Sequence, residues 1–137
     1  MVGNKKYRTF SHAKTLLRYH LILSTKYRSK CLNHIRDSVI SAFREVEKYS
    51  DFKILGIELD KNYIHLLVRF RPNYSITQIV NYIKQRTAYN IWRDNEEYLK
   101  KFYWSKKHKL WTEGYLISTI SDISEKILKK LLKNKIP

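Results

Sequence analysis

The chain has 137 residues, and its 28 Lys+Arg against 12 Asp+Glu give a formal net charge of +16. With 43% hydrophobic and 14% aromatic residues it has the composition of one globular domain rather than a disordered or collagen-like chain, and no apolar run approaches the roughly 20 residues of a membrane span. The single cysteine, Cys31, excludes an internal disulfide and a cysteine-rich zinc site, while basic charge spread along the chain suits a polyanion, nucleic acid before an anionic membrane surface.

Residues 1–14 are polar and basic and read as a loosely ordered arm; the opening MVGNKKYRTF lacks the apolar core of a signal peptide, so a cytoplasmic location is expected. LLRYHLILST, 16–25, alternates as a strand with Leu17, Tyr19, Leu21 and Leu23 on one side. A basic loop holding Lys26, Tyr27 and Arg28 follows. From 32 to 49, Leu32, Ile35, Val39, Phe43 and Val46 recur at helical spacing. FKILGIELDKNYIHLLVRF, 52–70, reads as a hairpin turning at Asp60-Lys61-Asn62, with Pro72 ending its second strand. Ser75 and Gln78 form a capping box that starts a helix running to about Trp92. The stretch 94–109 is irregular or partly helical. A short strand over 115–120 and a helix from Ser121 or Ser124 to about Lys133 complete the order. This β-α-β-β-α-β series followed by a helix predicts an α+β, ferredoxin-like domain: one antiparallel sheet with its helices on one face.

The second strand of the hairpin carries the chemistry. Alternation places Ile64, Leu66, Val68 and Phe70 on a wholly apolar face, and Tyr63, His65, Leu67 and Arg69 on the other. Ordinary surface residues on a half-exposed strand would also fit this pattern. His12, His20, His34 and His108 are scattered without ligand spacing and read as surface or core-edge residues.

Several stretches, taken in order, resemble the single-tyrosine HUH transposases of insertion sequences that move as single-stranded DNA. The first strand and loop, Tyr19 to Arg28, are similar to theirs, and so is the capped helix from Ser75 to Ile91. Tyr63-Ile64-His65-Leu66 lies where they carry His-hydrophobic-His-Leu, and the block from Leu110 to Lys135 resembles their C-terminal segment. The resemblance implies a divalent metal, Mg or Mn, held by the two histidines and a polar residue of the last helix, and a nucleophilic tyrosine on that helix that becomes joined to the 5′ end of DNA. This sequence departs at each place. Tyr63 replaces the first histidine, His65 alone remains as a ligand, Leu131 occupies the tyrosine position and Lys135 the polar one, and no tyrosine occurs between Leu116 and Pro137. A phenol with an ordinary pKa of about 10 is a poor ligand near neutrality, so the metal is expected to be absent or weakly held.

The expected function is therefore that of a transposase-family protein with a degenerate catalytic site, binding single-stranded or hairpin DNA for DNA transposition. Lys26, Arg28, Arg69, Lys84 and Arg86 are the expected DNA contacts. The resemblance implies a homodimer, and a mixed dimer with an intact relative is a further possibility to test. An active transposase with a relocated nucleophile, for which Tyr63 is the candidate, is one alternative. An RNA-binding module using the sheet topology of the RNA recognition motif is another, although the central strands lack that motif's aromatic signature. A protein that only dimerises is a third.

Overall fold

The computed structural model describes residues 17–70, 75–104 and 106–119. The basic arm, the segment after the hairpin and the expected C-terminal helix, with Leu131 and Lys135, lie outside them. Strand β1, Leu17–Ser24, leads through a tight turn and a 3-10 turn into helix α1, Arg36–Lys48. The hairpin strands β2, Lys53–Leu59, and β3, Tyr63–Phe70, come next. Helix α2, Ile76–Leu99, and the short strand β4, Leu116–Thr119, complete the described elements. The sheet order is β2-β3-β1-β4, with every neighbouring pair antiparallel. This is the arrangement expected of a split βαβ fold.

The apolar face of β3 builds the core. Leu21 pairs with Leu66, Leu23 with Ile64 and Tyr19 with Val68, and all six are buried under the helices. Tyr19 also stacks on Phe70, their ring centroids 4.8 Å apart. Helix α1 contributes Val39, Ala42, Phe43 and Val46 to this layer. Helix α2 contributes Ile79, Val80, Ile83 and Ile91, among others. The hairpin turns where its polar triplet lies, closed by the Asp60 N–H donating to the Tyr63 carbonyl. Strand β2 has a register shift between Ile54 and Gly56, leaving Leu55 as an extra, exposed residue.

Two boundaries differ from the periodicity. The first helix begins at Arg36 because Asn33–Ile35 forms a 3-10 turn, yet Leu32 and Ile35 are buried as their spacing requires. The second helix continues past Trp92 to Leu99, across a non-helical Asn95. The Asn95 amide donates to the Ile91 carbonyl and to Ser38 on α1, replacing local backbone bonding with side-chain bonds. The helix start at Ser75 is as expected. Its hydroxyl accepts from the Gln78 N–H, and the Gln78 side chain accepts from the Ser75 N–H.

Truncating Leu66, fully buried at the sheet centre, to alanine should destabilise the fold by about 2–5 kcal/mol, and Ser75→Ala by about 1 kcal/mol. Equilibrium urea unfolding measures both, and a Leu66→Ala loss no larger than that of Ser75→Ala would contradict this assignment of the core.

Candidate functional site

The face of the sheet turned away from the helices carries the polar residues of β3 together with neighbours that strand pairing brings to them. His65 stands opposite Glu58 on β2 and opposite Ile22 on β1. Because side chains two apart share a face, His20 projects from β1 on the same side. Its Nδ1 lies 2.9 Å from Nε2 of His65, and Oε1 of Glu58 lies 3.1 Å from Nδ1 of His65. An ionised carboxylate only accepts hydrogen bonds, so His65 donates from Nδ1. A neutral His65 then offers only a lone pair at Nε2, so His20 donates from its own Nδ1. With a single proton on His65, the hydrogen bonds run from His20 through His65 to Glu58. Both imidazoles are buried, whereas the Glu58 carboxylate is half exposed. His65 is buried on a face expected to be half exposed because it is clamped between these partners, while Tyr63, Leu67 and Arg69 are half-buried.

His20 was not identifiable as a partner of His65, since 45 residues separate them and only the β1–β3 register joins them. Glu58 was hidden for a similar reason, on the far side of the hairpin. Among the described residues no group of three or more His, Cys, Asp or Glu is placed to hold a metal ion. Between the two rings only one nitrogen lone pair is offered, at Nε2 of His65, because Nδ1 of His20 carries the proton of their hydrogen bond. Tyr63 holds its proton firmly: burial raises its pKa, and the Asp60 and Glu58 carboxylates raise it further.

At the end of the same face three cations lie side by side. Arg69 pairs directly with Arg18 on β1 and with Lys53 on β2. Like charges placed directly opposite each other across strands are destabilising, so this row costs stability unless an anion is present. Arg69 was expected as a DNA contact; pairing adds Arg18 and Lys53.

A second basic surface lies against α2. A groove of about 740 Å³ runs between this helix and the segment 107–113, lined by Lys26, Lys84, Lys107 and Lys109 together with Tyr89 and Trp92. Two indoles fasten its wall. Trp92 donates to the Lys109 carbonyl at 3.2 Å, and Trp111 donates to the Thr87 hydroxyl at 3.0 Å. The Lys84 ammonium is set in place by the Glu113 carbonyl, 2.9 Å away, and burial lowers its pKa. The expected contacts Lys26 and Lys84 therefore meet in one groove. Arg86 is exposed beside it, its guanidinium over the ring of Tyr89, and Arg28 is exposed in the loop after β1.

The fold agrees with what the chain is similar to. The family model for IS200-like transposases matches residues 13–135. The chain belongs to that family. Among curated relatives, the transposase for insertion sequence element IS200 of Salmonella typhimurium is 23% identical over 127 residues, covering 92% of this chain and 80% of the relative. The ISDra2 transposase TnpA of Deinococcus radiodurans is 25% identical over 120 residues, covering 87% and 84%. A crystal structure of a transposase from Deinococcus radiodurans R1 superposes with a TM-score of 0.73 at 26% identity, over 88% of this chain and 91% of that one. The REP-associated tyrosine transposase bound to a REP hairpin shares the fold at 11% identity, with a TM-score of 0.57 over 88% and 70%.

The loop carrying Lys26 is held by Tyr103, whose hydroxyl donates to the Lys26 carbonyl at 3.2 Å. Burial pushes the Tyr103 phenol well above its ordinary range. A raised folded-state pKa contributes stability that is fully present below the unfolded value near 10 and is lost as pH rises toward the folded value. Tyr103→Phe should therefore cost about 1 kcal/mol near neutrality but lose less stability than the parent between pH 9 and pH 12. Urea midpoints across that range give the comparison; parallel pH profiles would show that Tyr103 is not the group responsible.

Proposed function

We propose that this chain is a DNA-binding member of an insertion-sequence transposition system that engages single-stranded or hairpin DNA and does not itself form a phosphotyrosine. The observation that carries this reading is the Lys53–Arg69–Arg18 row, on the same sheet face as the histidine pair. A row of like charges is relieved by a phosphate backbone, whose negative charges it can neutralise with release of counterions. The groove along α2 supports the same reading, because it combines cations with the exposed ring of Tyr89, a face on which an unpaired base can stack. The hairpin-bound structure with this fold makes hairpin DNA a natural ligand to test.

Loss of strand cleavage rests on the sequence. Leu131 stands where the family has its nucleophile and Lys135 where it has a polar metal ligand. Neither Leu131 nor Lys135 can replace what is lost, since a hydrocarbon side chain cannot attack phosphorus and an ammonium repels a cation. Tyr63 does not fill the gap, since a phenol whose proton is held by burial and nearby carboxylates is a weak nucleophile. A divalent ion, when bound, would polarise the scissile phosphate. Of the described residues, His65 would offer it one imidazole nitrogen with no group of ligands around it, which suits Mg2+ poorly.

A labelled hairpin with a single-stranded tail, titrated by fluorescence anisotropy between 50 and 200 mM salt, tests the binding. Affinity should fall steeply with salt, by about 0.7 log units per log unit of salt for each phosphate neutralised on a single strand. Arg69→Ala and Lys84→Ala should each reduce that slope by about one contact's worth. Binding that ignores salt would remove the reading.

With Mg2+ or Mn2+ and a cleavable single strand, no covalent protein–DNA adduct should survive denaturation. An adduct would overturn the inactive assignment, and its loss in Tyr63→Phe would identify the nucleophile.

A further inference from the structure

The loop after β1 holds two consecutive residues in the left-handed backbone region, Tyr27 at φ 61° and Arg28 at φ 53°. Glycine adopts this conformation freely, whereas a bulky side chain there is strained. Burial of the ring does not offset that strain, since Tyr27 is 76% exposed. We propose that Tyr27 is a stacking platform for one unpaired base of a DNA single strand, with Lys26 and Arg28 meeting the phosphates beside that base. The inference rests on the DNA-binding reading above and adds the point at which a base, rather than a phosphate, is held.

The loop is built to present the ring. Its backbone is tied to three other segments of the chain. The Thr25 N–H donates to the Asn62 carbonyl in the hairpin turn at 2.9 Å, and the Lys26 N–H donates to the Leu110 carbonyl at 2.7 Å. The Tyr103 hydroxyl donates to the Lys26 carbonyl from a third side. Within the loop, the Arg28 N–H closes on the Thr25 carbonyl and the Thr25 hydroxyl on the Ser29 carbonyl. Surroundings that over-determine the backbone let a strained conformation persist, and such strain gathers where ligands are held. The Tyr27 ring leans on buried Tyr103, with centroids 6.3 Å apart and planes tilted by 34°, so little of it remains to be ordered on binding.

The charge around the ring suits a nucleotide. The Lys26 ammonium lies 5.7 Å from the Tyr27 ring centroid, and Arg28 is exposed next to it in the chain. An open π face flanked by cations is the combination that holds single strands without reading their sequence. Lys26 also lines the groove along α2, so the platform adjoins the cations already described there.

The test compares two hairpins that differ only in the tail, one of thymidines and one of abasic tetrahydrofuran units with the same number of phosphates. The intact chain should bind the thymidine tail at least about 5-fold more tightly, the lower end of what one base–aromatic stack contributes. Tyr27→Gly, which also releases the left-handed strain, should abolish that ratio while its urea midpoint stays close to the parent's. Tyr27→Phe should keep the ratio. The salt slope should not change in Tyr27→Gly, because a stacked base releases no counterion. Arg28→Ala should instead flatten the slope by about one contact and leave the ratio intact.

The unmodified protein supplies a second readout: ultraviolet crosslinking of a tail carrying 5-iododeoxyuridine should mark Tyr27. Equal affinity for the two tails, each weakening with salt, would overturn the platform and leave phosphate binding standing. No affinity for either tail would remove both readings. A ratio that survives in folded Tyr27→Gly and disappears in Tyr89→Ala, or crosslinks confined to other residues, would place the stacked base elsewhere and overturn the proposal.

Discussion

Antiparallel pairing of β1 with β3 is the constraint on which the rest of the molecule depends. The register that sets Leu21 against Leu66 and Leu23 against Ile64 closes the core under the helices. The same register, read on the other face, brings His20 within hydrogen-bonding distance of His65 and Arg18 alongside Arg69. Side chains alternate with a period of two, so these outcomes cannot be separated. A slip of one residue would expose the core leucines and disperse the polar face together. The apolar face fixes the register, and the chemistry is carried along with it.

The two basic surfaces differ in construction. On the sheet, cations are crowded by backbone pairing alone, which leaves repulsion among them. Along α2, the cations are placed by specific hydrogen bonds, as when the Glu113 carbonyl holds Lys84, and the aromatic wall is pinned by Trp92 and Trp111. The first surface has a field without a shape, and the second has a shape. A phosphate backbone is recognised by field, whereas an unstacked base needs a fitted platform.

Much of this architecture was legible in the sequence because local signals and long-range packing agree. The capping box at Ser75, the polar turn at Asp60-Lys61-Asn62 and the alternation of Ile64, Leu66, Val68 and Phe70 each name their element without help from the rest of the chain. The end of α2 was not legible, because Asn95 breaks the backbone pattern and is compensated by a bond to Ser38 on another helix. The site was half legible. Tyr63, His65 and Arg69 are contiguous on one strand and could be read by period. His20, Glu58, Arg18 and Lys53 join them only through pairing between strands distant in sequence, for which a spacing rule along one strand has no signal.

The extra residue in β2 decides which side chains of that strand share a face. Before it, Lys53 faces Arg69 and Ile54 faces Val68; after it, Gly56 faces Leu67 and Glu58 faces His65. Without Leu55 as an unpaired insertion, continuing the earlier count would set Ile57 over His65 and turn Glu58 into the core opposite Ile64. The bulge thus acts as a phase shifter between two halves of one strand. It allows a lysine at one end and a glutamate at the other to emerge on the same side, one beside an arginine and one beside a histidine. A single residue with no partner of its own sets the electrical polarity of that side of the sheet, positive at one end and negative at the other.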